Sequence, residues 1–361
     1  MSPWAPKPVR RRYRVALAGY YGFGNLGDEL LAEAAVEALL RCGVEREQIL
    51  VLSNDPEDSS KRFGIEAVDR WRLGKVSRAL ARSETLLLGG GGLFQDATSL
   101  RSCVYYWGLV RMACLAGAVP WALGQSVGPL LTRRGRGLTR DALRLCRAVQ
   151  VRDEPSRLLC GDLGVPVEVG HDLALSLDTP LDTPMGEGFA AKSAKTAGPR
   201  LVVNLRPGDM AKGFARAVAA YAHASALEIW GLAFSKEDED LMRRLAQEGS
   251  LSFAGVERAA ALADASIVLR GARVAAGMRL HFAILAARAQ IPLVVAPYDP
   301  KVEAFAKDRR IPLWRDGLLP EPRASLFSSL NADCIRTDCV RKEIDALCRR
   351  VLGVMIGELN G

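Results

Sequence analysis

Two side chains suited to anion binding and proton transfer stand close together in the segment Gly277-Met278-Arg279-Leu280-His281. The residues that follow are mostly apolar as far as Ala287, a pattern that predicts a helix with Arg279 and His281 at its N-terminus. A helix N-terminus attracts anions, so an arginine and a histidine there favour a bound phosphate. Histidine is also the commonest general acid in enzymes. Taken alone, a histidine among apolar neighbours is more typical of a hydrogen-bonded core residue, but the adjacent Arg279 favours the phosphate site.

Two more cations follow predicted strands. Arg152 ends the apolar strand 148–152, and Lys301 comes shortly after the strand 291–296. Ligands of open α/β sheets bind beyond the carboxyl ends of the strands, so both side chains are predicted to reach a ligand. An arginine there can hold a carboxylate or a phosphate through two hydrogen bonds.

A glycine-rich turn follows the first predicted strand, residues 14–19, and reads Gly19-Tyr-Tyr-Gly-Phe-Gly-Asn-Leu-Gly-Asp28. Its glycines at 22, 24 and 27 match the dinucleotide-binding fingerprint. Asp28 argues against that function, because it stands at the helix start where a pyrophosphate would sit. A purely structural turn is a second interpretation. In the third, aromatic and polar side chains grip a sugar and Asp28 serves as a base.

A second glycine cluster, residues 89–92, follows the strand 85–88 and leads into Gln95 and Asp96. Bare backbone at Gly90 and Gly91 could bind an anion or admit a bulky ligand, with Gln95 and Asp96 directed to the same place. A flexible turn is the alternative. A third segment of this kind, 124–129, follows the strand 119–123.

Short apolar runs alternate with helical patterns along the whole chain, as in parallel sheets with crossover helices. Strands are predicted in the second half at 201–205, 226–230, 266–269 and 291–296. The predicted fold class is α/β, with two Rossmann-like doubly wound domains facing each other across a cleft, as in glycosyltransferase-B-like proteins. The predicted boundaries are 1–176 for the first domain, 177–199 for a linker and 200–361 for the second.

Composition limits the classes of partner. The 361 residues carry a formal charge of +8, with an arginine cluster at positions 10, 11, 12 and 14, which favours anionic partners. Nucleic acid is not predicted, because no base-reading motif accompanies the charge. Eight cysteines without a CxxC pair indicate reduced thiols, and three histidines without metal-ligand spacing predict no metal. No apolar run approaches the ~20 residues of a membrane helix, so the predicted location is cytoplasmic or peripheral at the inner membrane face.

Five motifs in order, 19–29, 89–96, 124–129, 151–153 and 278–281, resemble the polysaccharide pyruvyl transferase family. The resemblance extends over about residues 13–310 and is closest to CsaB-type members, which decorate the cell-wall polymers that anchor surface layers. It implies transfer of the enolpyruvyl group of phosphoenolpyruvate to a saccharide, forming a pyruvate ketal and releasing phosphate. Phosphoenolpyruvate is then a co-substrate, with no cofactor and no metal. The implied acceptor is a lipid-linked, N-acetylmannosamine-containing cell-wall saccharide.

The same resemblance assigns roles to individual residues. The donor-side domain would bind phosphoenolpyruvate, with Arg152 added from the first domain: the binding residues are Arg152, Arg279, His281 and Lys301. The acceptor would be lined by Tyr21, Phe23, Asn25 and Asp28. The glycine cluster adds Gly90, Gly91, Gln95 and Asp96 to the predicted acceptor side. Ketal formation also requires a general acid and a base, and the candidates by residue type and position are His281 and Asp28.

Three alternative functions remain open at this point. The main one is a nucleotide-sugar-dependent glycosyltransferase on the same two-domain fold. A nicotinamide oxidoreductase and a non-catalytic binder of anionic polysaccharide or lipid are the others. Peripheral contact with an anionic membrane through the N-terminal arginines and assembly into a homo-oligomer are further expectations.

Overall fold

The computed structural model describes residues 11–97, 99–178, 198–324 and 337–359. The predicted linker, 177–199, lies almost wholly outside these residues, as does Arg10. The described chain forms two parallel sheets with helices in the crossovers, which confirms the predicted α/β class. Within these residues, no helix is both long enough and apolar enough to cross a membrane.

The first sheet has seven strands in the order β3-β2-β1-β4-β5-β6-β7, and every neighbouring pair is parallel. Its central strands are buried almost throughout, as expected where crossover helices cover both faces. The strands are β1 Tyr13–Ala18, β2 Ile49–Ser53, β3 Glu66–Asp69, β4 Ser83–Phe94, β5 Val119–Val127, β6 Val149–Val151 and β7 Glu168–Val169.

The second sheet has five parallel strands in the order β10-β9-β8-β11-β12. Both sheets reverse their strand order beside the first strand, and that reversal is where doubly wound folds bind ligands. The strands are β8 Arg200–Asn204, β9 Glu228–Ala233, β10 Gly255–Arg258, β11 Ala272–Gly277 and β12 Leu293–Val295.

Twelve helices connect or follow these strands in the described chain, beside two short 3₁₀ turns at Arg46–Gln48 and Leu173–Ser176. Several start at an aspartate N-cap followed by proline, as at Asp55, Asp153 and Asp299. The helices are α1 Leu26–Arg41, α2 Pro56–Phe63, α3 Leu73–Ala81, α4 Arg101–Leu115, α5 Arg133–Arg144, α6 Glu154–Asp162, α7 Ala211–Ala224, α8 Lys236–Gln247, α9 Leu262–Leu269, α10 Leu280–Arg288, α11 Pro300–Asp308 and α12 Thr337–Leu359.

The glycine cluster at 89–92 is part of β4, so the prediction that this strand ends at Leu88 is wrong, as is the alternative of a flexible turn. β4 continues to Phe94 and stays paired with β5, with Gly91 opposite Gln125 and Phe94 opposite Val127. Gly90 and Gly91 adopt positive φ angles of 68° and 91°, a backbone conformation that residues with a side chain rarely adopt. A Cβ on Gly89 would lie 2.6 Å from Leu17 Cδ1, so close packing inside the first unit also requires glycine there. The segment 124–129 likewise begins inside a strand, since β5 extends to Val127.

The prediction of a strand at 266–269 is also wrong, because these residues end helix α9. A short apolar run does not distinguish a buried strand from a buried helix. The helix start depends on Asp264, whose carboxylate accepts the amides of Ala260 and Ala261 at 2.9 Å each. Strand β11, Ala272–Gly277, follows this helix and takes the place in the sheet that was predicted for 266–269.

Contacts divide the molecule into two compact units. The first holds the described residues up to Phe23, Leu31–Leu173 and those from Arg341 onward, and the second holds Gly24–Leu30 and the described residues within Ala174–Val340. Most of α12 therefore packs in the first unit, where Asp345 pairs with Arg41 at 3.0 Å. The sequence boundary had placed this helix in the second domain, because its tertiary partners are about 300 residues away along the chain.

Candidate active site

The N-terminus of α1 contributes Asn25, Gly27 and Asp28 to the second unit. The carbonyl of Asn25 accepts the amides of Asp28 and Glu29 at 3.0 and 3.1 Å, and its side-chain amide donates to the Asp28 carboxylate. Leu26 donates its amide to the carbonyl of Phe234 at 2.8 Å. These bonds fix the first turn of α1 and the direction of Asp28.

His281 packs directly on this turn. It is the second residue of α10, and a Cβ added to Gly27 would lie 2.2 Å from its Nδ1 atom. Contact this close is possible only because residue 27 has no side chain. The structure thus brings together Gly27 and Asp28, which open α1, and His281, which lies more than 250 residues later.

The start of α10 is held by Asn204 at the end of β8. The amide of Arg279 donates to Asn204 Oδ1 at 3.1 Å, and the amide of Met278 donates to the Asn204 carbonyl, also at 3.1 Å. Asn204 is fully buried, and its own amide donates to the Leu232 carbonyl at 2.8 Å. The carboxyl edge of the second sheet therefore determines where His281 stands.

The guanidinium of Arg279 is bound to a buried carboxylate. Its Nε and Nη2 atoms donate to Asp238 at 2.5 and 2.7 Å, and Nη2 also donates to Ser235 at 3.0 Å. Burial by itself would lower the pKa of Arg279, but the hydrogen bond and charge of Asp238 outweigh it and raise the pKa. The charge of Asp28 acts in the same direction, which places Asp28 close to this pair.

Arg206 is a cation in this unit that the sequence analysis left out of the site. Its guanidinium carbon lies 4.0 Å from the ring centroid of Tyr298, and its Nε atom is buried without a hydrogen-bond partner in the described chain. No carboxylate of the described residues lies within salt-bridge distance of it. The available signal was its position two residues beyond β8 in the polar turn that starts at Asn204.

Lys301 and Arg152, the two other predicted donor ligands, belong to different units. Lys301 opens α11 in the second unit, where its Nζ atom lies 3.3 Å from the Asp299 carboxylate. Arg152 belongs to the first unit, and its side chain is only 3% exposed. It donates to Asp172 at 2.5 Å and to Ser126 at 3.3 Å, so its charge is already compensated within the first unit.

The predicted acceptor residues of the first unit separate into buried and exposed groups. Tyr21 is fully buried and donates its hydroxyl to the Gly89 carbonyl, so its ring serves the core. Phe23 is partly exposed and stacks on Tyr20, with ring centroids 4.0 Å apart and ring planes within 6°. Gly90 and Gly91 lie in β4, and the Gln95 side chain accepts the Ala97 amide at 3.2 Å.

Phe23 belongs to an aromatic group that sequence analysis did not find. The guanidinium of Arg70 is buried and lies 4.4 to 5.6 Å from the centroids of four rings, which are those of Phe23, Trp71, Tyr105 and Tyr106. Trp71 is 58% exposed, and its indole donates to Asn54 at 2.8 Å. We name Tyr20, Phe23, Trp71 and Tyr105 the aromatic platform. Exposed, immobilised rings of this kind mark a binding surface.

The carboxylate of Asp96 is held by hydrogen bonds from the residues that precede α5. Its carboxylate accepts the amides of Leu131 and Thr132 at 2.5 and 2.9 Å and the Thr132 hydroxyl, while Thr132 caps α5. Burial would raise the pKa of Asp96, but these hydrogen bonds outweigh it and hold the pKa below the ordinary value. Asp96 therefore anchors the start of α5.

Replacing Asp96 by asparagine is expected to lower the free energy of unfolding by about 1–2 kcal/mol at neutral pH. The pKa of Asp96 is lower in the folded state than in the unfolded state. The stability that its carboxylate contributes is therefore complete above the ordinary aspartate pKa and is lost as pH falls through the folded-state pKa. Urea unfolding of both proteins from pH 7 downward measures it: the difference should shrink in acid. Asp162→Asn, at an exposed position in α6, is the control, and an equal loss there would contradict the anchoring role.

The family model for polysaccharide pyruvyl transferases matches residues 25–300, three quarters of the chain. The chain belongs to the polysaccharide pyruvyl transferase family. Membership makes it a transferase and implies a saccharide acceptor. The matched range contains the first turn of α1, the turn after β8 and the start of α10, and it ends one residue before Lys301. A comparison with curated proteins gave no match.

Solved structures share the fold of this pyruvyl transferase family member at low sequence identity. HepE of Anabaena, solved with UDP-glucose, has a TM-score of 0.56 at 14% identity over 96% of this chain and 98% of its own. The UDP-GlcNAc 2-epimerase of Neisseria meningitidis, bound to UDP-GlcNAc, has a TM-score of 0.56 at 9% identity over 93% and 91%. A glycosyltransferase of Rickettsia africae has a TM-score of 0.51 at 11% identity over 94% and 93%. These likenesses confirm the glycosyltransferase-B-like fold.

Proposed function

We propose that this transferase moves the enolpyruvyl group of phosphoenolpyruvate onto two hydroxyls of a cell-wall saccharide, forming a pyruvate ketal and releasing phosphate. The observation that carries the proposal is the cluster in the second unit, where a histidine at a helix N-terminus stands with two arginines and an aspartate. Family membership supports the reaction class. The motif resemblance supports a lipid-linked, N-acetylmannosamine-containing acceptor.

Arg206 is the principal anion ligand in this proposal. It is half-buried, held by the Tyr298 ring and not neutralised by a described carboxylate, so a phosphate or carboxylate would complete its hydrogen bonding. Arg279 contributes through its position, since Asp238 fixes its guanidinium and cancels most of its charge. Arg206 takes the role that the sequence analysis gave to Arg152, whose charge Asp172 compensates.

The reaction needs one acid and one base. His281 would donate a proton to the methylene carbon of phosphoenolpyruvate, which becomes the methyl group and leaves an oxocarbenium-like centre at the neighbouring carbon. The first sugar hydroxyl adds there as Asp28 accepts its proton. The second hydroxyl then adds to the same carbon as the bond between that carbon and the phosphate oxygen breaks. The phosphate takes the electron pair of the broken bond and the proton of the second hydroxyl.

The aromatic platform of the first unit is our proposed acceptor subsite. A pyranose ring presents one apolar face of C–H groups, which packs well on an exposed aromatic ring. Trp71 and the Tyr20–Phe23 stack offer such rings, and Arg70 beneath them fixes their orientation. The side chain of Trp71 is the most exposed of the four.

The proposal is tested by measuring phosphate release from phosphoenolpyruvate in the presence of a chelator, with and without an N-acetylmannosaminyl-N-acetylglucosamine diphospholipid. Release that depends on the acceptor, with a ketal on the product by mass spectrometry, is expected. Absence of release together with turnover of a nucleotide sugar would instead establish a glycosyltransferase on the same fold.

Replacing Arg206 by alanine is expected to raise the KM for phosphoenolpyruvate at least about tenfold, because a charge-assisted ion contact is lost. The KM for the acceptor should change little. Arg216→Ala, an exposed arginine on α7 of the same unit, serves as the control. Unchanged phosphoenolpyruvate kinetics in Arg206→Ala would remove this residue from the donor site.

Replacing Trp71 by alanine is expected to raise the acceptor KM about tenfold, equivalent to about 1.4 kcal/mol of lost stacking. The KM for phosphoenolpyruvate should stay the same. Trp71→Phe should restore most of the affinity because it keeps a ring. Leu318→Ala removes a comparably exposed apolar side chain of the second unit and should have no effect. An acceptor KM that is normal in Trp71→Ala would exclude the platform.

A further inference from the structure

The net charge of the chain is concentrated on three neighbouring helices of the first unit. Helices α3, α4 and α5 contain nine basic side chains and one carboxylate, Asp141, a formal balance of +8. The whole chain carries 49 basic and 41 acidic side chains, which is also +8. The remaining residues are therefore balanced, with 40 of each sign. The nine basic residues, which we name the α3–α5 basic face, are Lys75, Arg78, Arg101, Arg111, Arg133, Arg134, Arg136, Arg140 and Arg144.

These helices lie side by side. The buried residues of all three join one core cluster, which includes Val76, Val110 and Leu143. Between α4 and α5, the Trp107 indole donates to Asp141 at 2.6 Å, and the hydroxyl of Thr139 lies 3.8 Å from the Cys103 sulfur. The next helix, α6, adds no positive charge, because Arg157 is paired with Glu154 at 2.5 Å.

The charge of the α3–α5 basic face is not neutralised within the described chain. Arg111 lies 3.9 Å from Asp141, and the other eight basic residues have no described carboxylate within salt-bridge distance. Asp141 is already engaged with Trp107. Like charges gathered on one surface repel one another, so an anionic partner would relieve that repulsion.

Apolar side chains are exposed on the same helices and at their ends. Leu73 opens α3 and is 61% exposed, Leu115 ends α4 at 89%, and Leu131 precedes α5 at 72%. Cationic side chains mixed with exposed leucines suit the headgroup region of a bilayer, where phosphates meet arginines and short apolar groups enter the acyl boundary. A nucleic-acid backbone would satisfy the arginines but would gain nothing from the leucines.

We infer that the α3–α5 basic face docks the protein on a membrane surface rich in anionic lipids. This differs from the sequence expectation, which assigned membrane contact to the N-terminal arginines. In the structure Arg11 donates to the carbonyls of Ser83 and Gly117, Arg12 pairs with Glu66 at 2.9 Å, and Arg14 lies 3.7 Å from Glu84. The inference stands on charge and exposure and does not depend on the proposed reaction.

Sedimentation of the full-length protein with vesicles tests the inference. Binding is expected to vesicles of phosphatidylcholine and phosphatidylglycerol at about 0.1 M salt, and not to vesicles of phosphatidylcholine alone. Salt at about 1 M should release the protein, because it screens charges beyond about 3 Å. Equal binding to neutral and anionic vesicles would overturn the inference.

The triple variant Arg134→Glu/Arg140→Glu/Arg144→Glu is expected to bind anionic vesicles at least about a hundredfold more weakly. Arg216→Glu/Arg244→Glu/Arg273→Glu is the matched control: it reverses three exposed arginines of the second unit and leaves the same total charge of +2. The control should retain most of the binding. Thermal unfolding within a few degrees of the parent establishes that both variants fold.

Two further results would overturn the inference. The first is equal vesicle binding by the two triple variants, which would show that only total charge matters. The second is binding to a DNA duplex that is tighter than vesicle binding at the same salt concentration and is lost in Arg134→Glu/Arg140→Glu/Arg144→Glu. Leu131→Asn separates lipid from nucleic acid further, because it should weaken vesicle binding several-fold and leave any DNA binding unchanged.

Discussion

Replacing His281 by glutamine is expected to lower kcat for pyruvyl transfer by about 10²–10⁴-fold. Glutamine fills a similar volume and keeps hydrogen-bonding atoms, but it cannot donate a proton to the methylene carbon. The KM for phosphoenolpyruvate should change less than kcat, because Arg206 and the helix N-terminus remain. Phosphate release measured over a range of phosphoenolpyruvate concentrations and pH values gives both quantities.

His223→Gln is the matched control, since His223 is exposed in the last turn of α7. It should leave kcat and its pH profile unchanged. A near-normal kcat in His281→Gln would remove His281 from proton transfer. A raised KM with normal kcat would instead make it a ligand of the donor.

Replacing Gly27 by alanine is expected to lower kcat about a hundredfold. The new Cβ would lie 2.2 Å from His281 Nδ1, so the imidazole or the start of α1 must move. A displacement of about 1 Å in a catalytic group can cost about 10²-fold in rate. Overpacking of this kind typically costs about 1–3 kcal/mol, so thermal unfolding of the variant must first establish that it remains folded at the assay temperature.

Gly108→Ala provides the comparison, because Gly108 lies inside α4 and a Cβ there would meet no atom within 4 Å. It should keep full activity and raise the free energy of unfolding by about 0.5–1 kcal/mol, because alanine is the better residue in the middle of a helix. Full activity in Gly27→Ala would show that the contact with His281 does not matter.

A double-mutant cycle tests whether Gly27 acts through His281. If it does, adding Gly27→Ala to His281→Gln should cost almost nothing further, so the two losses will not add. Losses that add in full would mean that Gly27 serves the reaction by another route, such as the orientation of Asp28. Gly27 is a positioning residue in this account, since it touches the proposed acid and not the substrate.

The organisation of the chain could be predicted from local patterns. The alternation of short apolar runs and helical segments predicts two doubly wound sheets, and both are present. The apolar run after Arg279 predicts a helix, and α10 begins at Leu280. Strands β3 and β10, each at one edge of its sheet, are absent from the sequence prediction. They are short and polar, and pairing with β2 and β9 stabilises them.

The motif resemblance identified the family, and the family match confirms it. It named Arg152 as a donor ligand and left out Arg206. Arg152 and Arg206 both follow a strand, and nothing local distinguishes them. Asp172, 20 residues beyond Arg152, compensates the first, while the ring of Tyr298 supports the second without neutralising it.

The sequence by itself determined residue types, local periodicity and total charge, because these depend only on the order of residues. The tertiary structure alone decided which distant groups meet: Gly27 with His281, Asp238 with Arg279, and Arg70 with the rings around it. It also decided where the charge of +8 lies, since α3, α4 and α5 become neighbours only when parallel crossovers place them side by side on one sheet. Distance and burial arise from packing, and packing is a property of the folded chain.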